Sequence, residues 1–114
     1  MSYAYEHVEV LRFLDGDTVE LRIDMGNSIH WTGKFRLYGV DTPELHGDTQ
    51  AAGQMAADYL RALIAAFGIL EVQTFKPDKF GRWLAKIQLR DGRDVSECLV
   101  NAGHAVWYWG GKKA

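Results

Sequence analysis

The stretch FRLYGVDTPE, residues 35–44, decides the predicted fold of this chain. It begins as a β-strand in which Phe35 and Leu37 share one face, while Arg36 projects from the opposite face. The strand must leave the sheet at Pro43, because proline lacks the N–H that a sheet ladder needs and disfavours helix at the preceding residue. The stretch therefore predicts a strand that runs into a loop carrying Asp41 and Glu44.

The residues before this strand predict a β-hairpin. Apolar residues alternate with polar ones on both sides of an Asp-Gly pair, at Val8, Val10, Val19, Leu21 and Ile23. The acidic element DGDT, residues 15–18, then lies at the hairpin tip. After a Gly26-Asn27 turn, residues 28–40 form the third strand.

The residues after the loop predict a long helix, two strands and a short helix. Apolar residues recur at helical spacing from Thr49, with Asp48 or Thr49 as the cap and Gly68 at the end. Residues 69–75 and 83–89 are rich in strand formers, and Asp94 with Glu97 resembles a capping box. The order predicts an α+β, mainly β class: a five-stranded OB-fold barrel with one long helix after strand 3 and a short C-terminal helix. Residues 1–114 form one domain in this interpretation, with a loose tail from about 107.

Bulk properties restrict the class of protein without defining its function. The formal net charge of −2 does not by itself suggest a partner with phosphates, since such proteins often carry a strongly basic face. The single cysteine, Cys98, excludes an internal disulfide and has the spacing of a core residue. No stretch approaches the ~20 apolar residues of a membrane span, so no membrane partner is expected. The N-terminus lacks signal-peptide features, which predicts an intracellular protein, or a secreted one if a leader was removed.

Five charged residues in three segments form the candidate site. Asp17 and Asp41 could offer oxygen ligands to a hard cation, and Glu44 could act as a general base on water. Arg36 and Arg82 could clamp one phosphate, because a planar guanidinium matches phosphate oxygens better than an ammonium. Each residue taken singly has a simpler alternative as a turn former or an exposed charge. The hypothesis of a phosphodiester site depends on their combination.

The chain resembles the staphylococcal nuclease family at three motifs in order. They are DGDT at 15–18, FRL followed by VDTPE within 35–44, and DKFGRWLA at 78–85. The segment from Val95 to Gly103 also looks like that family's, and the resemblance covers about residues 8–109.

The resemblance implies a Ca²⁺-dependent phosphodiesterase that cleaves DNA and RNA, single- or double-stranded, to 3′-phosphate and 5′-hydroxyl ends. By position, the resemblance implies that Asp17 and Asp41 are metal carboxylates and that the backbone carbonyl of Thr42 is a further metal ligand. It also implies that Glu44 is the general base and that Arg36 and Arg82 are the phosphate clamps. Substrate contacts are expected at Lys79 and Phe80, and from Tyr108 and Trp109 beside a nucleotide base. We expect a monomer.

The chain also departs from the family pattern. Phe80 replaces a frequent tyrosine, which removes one hydroxyl contact to phosphate while Lys79 remains. The loop at 45–50 is shorter than the family's basic loop, and the printed sequence does not include the family's further C-terminal helix. Trp107 or Trp109 would then complete the packing at that end. The four histidines show no metal-ligand spacing, and only His46, two residues after Glu44, could reach substrate.

Two alternatives remain open from the sequence. One is a non-catalytic OB-fold module that binds nucleic acid or a protein, although such modules usually lack some of the acids or arginines. The other is an enzyme that uses Mg²⁺ or Mn²⁺, because oxygen ligands alone do not determine the ion.

Overall fold

The computed structural model describes residues 3–76 and 81–109. The strands are β1 (Tyr3–Tyr5), β2 (Val8–Asp15), β3 (Thr18–Asp24), β4 (His30–Leu37), β5 (Val40–Asp41), β6 (Ile69–Phe75), β7 (Trp83–Leu89) and β8 (Val106–Trp107). The α-helices are α1 (Gln50–Phe67) and α2 (Val95–Asn101), and a short 3₁₀ turn, Gly47–Thr49, leads into α1.

Six strands form one mixed sheet in the order β1-β6-β7-β4-β3-β2. The neighbours pair antiparallel except β4 and β7, which run parallel with Arg36 opposite Leu84. A separate two-stranded ladder joins β5 to β8 and pairs Asp41 with Val106. This small ladder holds the exit of β4 against the C-terminal segment.

The core lies on the apolar face of this sheet, covered by the two helices. Phe35, Leu37 and Ile87 are fully buried there, as are Leu60 of α1 and Leu99 of α2. Cys98 is buried beside them, and burial raises the pKa of its thiol. The prediction that Cys98 is a core residue is therefore confirmed.

The helix ends follow the predicted signals in part. Asp94 caps α2 by accepting the Ser96 N–H, and the N–H groups of Gly103 and His104 close its far end on Val100 and Leu99. Thr49 is the N-cap residue of α1, but its side chain makes no capping bond. Its hydroxyl instead donates to the backbone carbonyls of Glu44 and His46 in the preceding loop.

The mainly β class is confirmed, with one long helix after the predicted third strand and a short C-terminal helix. The five predicted strands are present, but β1 was not predicted, and the third strand divides into β4 and β5 at Tyr38-Gly39. The barrel expectation needs a correction in the described residues, because the edge strands β1 and β2 do not pair and the sheet stays open. The gap between β2 and β6 is a cleft of about 480 Å³ that α1 borders. No helix within residues 3–76 and 81–109 is long and apolar enough to cross a membrane.

Candidate active site

Asp17 lies at the tip of the β2–β3 hairpin and points inward. Its Oδ2 accepts the backbone N–H of Thr42 at 3.1 Å, and its Oδ1 accepts the Thr18 hydroxyl at 3.1 Å. Burial raises the pKa of this carboxyl, against the opposing effects of the Thr42 hydrogen bond and the charge of Arg36. A carboxylate held in this way is costly unless a positive charge stands near it.

Arg36 supplies such a charge from β4. Its Nη2 lies 3.2 Å from Oδ1 of Asp41 and 3.7 Å from Oδ2 of Asp17, so one guanidinium nitrogen stands between the two carboxylates. The side chain is only 11% exposed, and its Cζ lies 5.3 Å from the centre of the Tyr108 ring. Asp17 of the DGDT element and Arg36 and Asp41 of the 35–44 stretch thus meet at one place. Asp41 ends β5 rather than standing in a free loop.

Thr42 joins the hairpin tip to the exit loop. Its backbone N–H is taken by Asp17, while its hydroxyl oxygen is buried and has no hydrogen-bond partner in the described part of the chain. That oxygen would lie 2.8 Å from a Cβ placed on Gly16, which leaves no room for a side chain at the hairpin tip. The glycine of the DGDT element is therefore required for this close approach.

Glu44 lies farther out than the aspartates. Its side chain is 71% exposed, and its Oε2 lies 2.8 Å from Nε2 of His46. Asp15 stands within electrostatic reach: burial raises its pKa, the charge of Glu44 raises it further, and His46 and Arg82 lower it. The half-buried Arg82, just before β7, is therefore near enough to Asp15 to interact with it electrostatically.

Asp15 was not among the predicted site residues. The signal that could have identified it was its place as the first acid of the DGDT element, where the second acid, Asp17, was already a candidate. Two acids separated by one residue at a hairpin tip commonly lie near each other, and here both are partly or fully withdrawn from solvent.

Of the two predicted aromatic contacts, Tyr108 lies beside Arg36, whereas Trp109 packs against Tyr38 and Trp107. The Tyr108 N–H donates to the carbonyl of Gly39 at 2.7 Å, which places its ring near the guanidinium. Trp109 is 63% exposed, contacts Tyr38 edge-to-face at 5.3 Å and stacks on Trp107 at 5.9 Å. Trp107 packs on the core, so it contributes to closing this end of the fold, whereas Trp109 covers the surface. Lys79 and Phe80 lie outside the described residues.

A cation at this place would have two carboxylates available. Asp17 and Asp41 face a common point, at which Arg36 now lies, and Thr42 is adjacent. Within the residues that the structure describes, no cluster of three or more His, Cys, Asp or Glu side chains could enclose a metal. The arrangement fits an open site for a hard ion that keeps several waters, and does not fit a closed metal cage.

The chain is thus a mainly β protein in which Asp17, Arg36 and Asp41 cluster where the tip of the β2–β3 hairpin meets the exit of β4. The family model for staphylococcal nuclease homologues matches residues 34–113, and the chain belongs to that family. It is also 33% identical over 103 residues to proteins of Escherichia coli O157:H7 and of Escherichia coli, each described as an uncharacterized endonuclease. The match covers 90% of this chain but 61% of each of these relatives.

Proposed function

We propose that the chain is a metal-dependent phosphodiesterase that cleaves DNA and RNA, with Ca²⁺ as its ion and 3′-phosphate and 5′-hydroxyl ends as its products. The observation that carries the proposal is the position of Arg36 between Asp17 and Asp41, at 3.7 and 3.2 Å. Membership of the nuclease family and the relatives described as endonucleases support it. The ion and the products follow from the family resemblance.

Arg36 and Arg82 are the proposed phosphate clamps. Arg36 is withdrawn from solvent, where its charge is poorly screened and its interaction with a phosphate would be strong. A substrate phosphate could accept hydrogen bonds from this guanidinium group in place of the contacts that Nη2 now makes with the aspartates. Arg82 is near enough to Asp15 to interact with it electrostatically, and the two arginines could contact different oxygens of one phosphate.

Glu44 is the proposed general base. Its exposure leaves the carboxylate accessible to water, and His46 provides a partner that holds its orientation at 2.8 Å. Asp17, Asp41 and the backbone carbonyl of Thr42 are the proposed ligands of the ion. When bound, the ion would act as a Lewis acid on the phosphate and replace Arg36 as the charge that balances the two carboxylates.

Tyr108 and Trp109 are the proposed contacts to a nucleotide base, together with Lys79 and Phe80 as contacts to substrate. The Tyr108 ring lies beside Arg36, a proposed phosphate clamp, and the next residue, Trp109, is exposed and available to a base. Base stacking on an aromatic side chain contributes about 1–3 kcal/mol per base. The aromatic pair would therefore affect affinity more than chemistry.

One observation favours a second candidate function, a non-catalytic module that binds nucleic acid. Arg36 already lies 3.7 Å from Asp17 and 3.2 Å from Asp41, so the two carboxylates have a counter-charge without an ion. Such a module would bind oligonucleotides through the arginines and aromatics without cutting them.

A cleavage assay separates the two candidates. End-labelled single- and double-stranded DNA and RNA are incubated with the protein in Ca²⁺, Mg²⁺, Mn²⁺ or chelator, and binding is measured in parallel. Cleavage in Ca²⁺ that chelator abolishes supports the nuclease, and the chemistry of the ends tests the proposed products. Binding without cleavage in any metal supports the module instead. Cleavage in Mg²⁺ or Mn²⁺ alone would correct the ion.

A further inference from the structure

Gly53, in the second turn of α1, packs against the loop that carries Glu44. A Cβ at this position would lie 2.5 Å from the carbonyl oxygen of Glu44 and 2.8 Å from that of Pro43. These are backbone atoms, so they cannot move aside by a rotamer change. The absence of a side chain at residue 53 is what allows the loop to lie this close to the helix.

The backbone conformation at residue 53 does not require a glycine. Gly53 is in a regular helix and does not have a positive φ, so alanine could adopt the same backbone angles. Alanine is also a better helix former than glycine. The contact with the Glu44 loop is the remaining structural reason for a glycine at this position.

Thr49, the N-cap residue of α1, holds the same loop at a second point. The Thr49 hydroxyl donates to the carbonyl of Glu44 at 2.9 Å and to that of His46 at 3.1 Å. The backbone on either side of the Glu44 side chain is therefore fixed by one packing contact and one shared hydroxyl. The backbone position of Glu44 is therefore defined, although its exposed side chain makes few contacts of its own.

The helix also sets the hairpin tip one turn later. A Cβ on Gly16 would lie 2.7 Å from the Cβ of Ala56, so the DGDT turn is packed directly on α1. Asp17 follows Gly16, and Glu44 lies beside Gly53. One rigid helix thus fixes the distance between the loop of the proposed base and the loop of the proposed metal ligand.

We propose that Gly53 is a positioning residue that places Glu44 for attack on the phosphate; this inference rests on the proposed nuclease function. It acts through the backbone of Pro43 and Glu44 and touches no substrate. An added Cβ would push the Glu44 loop away from α1, while Asp17, Arg36 and Asp41 would keep their mutual contacts. Because a misplacement of about 1 Å can cost about 100-fold in rate, the effect belongs in kcat rather than in binding.

The test is a double-mutant cycle of Gly53→Ala and Glu44→Gln, with oligonucleotide cleavage and binding both measured. We expect Gly53→Ala to lower kcat about 10- to 100-fold with little change in KM or in oligonucleotide affinity. In the Glu44→Gln background the same substitution should cost less than about 2-fold, because the group it misplaces is already disabled. An equal loss in both backgrounds would mean a general structural role and overturn the proposal.

Two further variants test whether the loss of kcat is specific to contacts with the Glu44 loop. Ala52→Gly, at the exposed neighbour on α1, changes helix propensity without touching the loop, and should leave kcat unchanged. Thr49→Ala removes the hydroxyl bond to the loop from an exposed position and should show a smaller loss with the same dependence on Glu44. If Gly53→Ala does not fold, Thr49→Ala decides the proposal. An inactive wild-type protein would refute the nuclease itself, whereas an active wild type with a fully active Gly53→Ala would refute only the positioning role.

Discussion

The backbone N–H of Thr42 donates to Oδ2 of Asp17 at 3.1 Å and joins two loops that are 25 residues apart in sequence. The bond satisfies a buried carboxylate oxygen and fixes the exit loop on the hairpin tip. It also brings Asp41, the neighbour of Thr42, next to Arg36. The bond therefore adds to the β3–β4 pairing, which already places Asp17 beside Arg36, and holds the exit loop against both.

Asp17→Asn should separate function from stability. Since burial raises the pKa of Asp17, the folded state holds its proton to higher pH than the unfolded chain does. The stability from this group is complete below the ordinary aspartate range and is lost as pH rises through the raised pKa. Asparagine can still accept the Thr42 N–H and never ionises. In chelator, its free energy of unfolding relative to wild type should therefore increase from about pH 4 towards neutrality.

Cleavage by the same variant should fall by more than about 100-fold, because a proposed metal ligand has lost its charge. Chemical denaturation across pH and a cleavage assay measure the two effects. Asp58→Asn is the control, since Asp58 is exposed and its pair with Arg61 should contribute only about 0–1 kcal/mol. A difference in unfolding free energy between Asp17→Asn and wild type that stays constant or falls from about pH 4 towards neutrality in chelator would contradict the raised pKa of Asp17.

Arg36→Lys should be severely impaired although it keeps the positive charge. In the present structure one nitrogen, Nη2, makes both aspartate contacts, but a phosphate clamp needs paired donors in one plane, which the compact ammonium of lysine does not present. We expect a loss of about 10³-fold or more in kcat, in the range known for arginines that stabilise phosphoryl transfer. Arg22→Lys, at an exposed position on β3, is the matched control and should retain full activity. Activity within a few fold of wild type for Arg36→Lys would remove Arg36 as a clamp.

Glu44→Gln should lower kcat by about 10²- to 10⁴-fold and leave oligonucleotide affinity unchanged, because a general base acts on the chemical step. Asp48→Asn, at an exposed acid in the same loop, serves as the control. His46→Ala removes the 2.8 Å partner of Glu44 and should have a smaller effect, since both side chains are largely exposed. Full cleavage by Glu44→Gln would show that another group activates the water.

Trp109→Ala and Tyr108→Ala should weaken oligonucleotide binding by about 1–3 kcal/mol each if both rings stack on bases. Tyr3→Ala, an exposed aromatic on β1, is the control for a general loss of apolar surface. Fluorescence titration with a single-stranded oligonucleotide in chelator measures affinity without cleavage. If only the denaturation midpoint changes and the affinity does not, these rings serve to close the fold.

The sequence was sufficient to predict the hairpin β2–β3, the two helices and the strands β6 and β7, because local patterns determine these elements. Alternation around Asp15-Gly16 predicts the hairpin β2–β3, and helical spacing predicts α1 to within a residue at each end. The missed elements have weak local signals. β1 is three residues long and exists through its pairing with β6, and the β5–β8 ladder joins pieces of two residues each. Such pairs form because distant segments meet, which a reading along the chain does not detect.

The same limit applies to the candidate site. The residue types of Asp17, Arg36 and Asp41 could be selected from their motifs, but their contacts depend on how β3, β4 and β5 are arranged. The role of Gly53 was not foreseen, since a glycine within a helix shows no local reason for its presence. The reason is a backbone contact with the Glu44 loop nine residues earlier.

The most direct test of the central claim is the rate of cleavage of end-labelled single-stranded DNA as a function of Ca²⁺ concentration, for wild type and Asp41→Asn. We expect wild type to cleave in a Ca²⁺-dependent manner that chelator abolishes. We expect the cleavage rate of Asp41→Asn to be lower by more than about 100-fold, with DNA binding retained. Wild-type cleavage that is indifferent to chelator, or equal rates for the two proteins, would contradict the central claim.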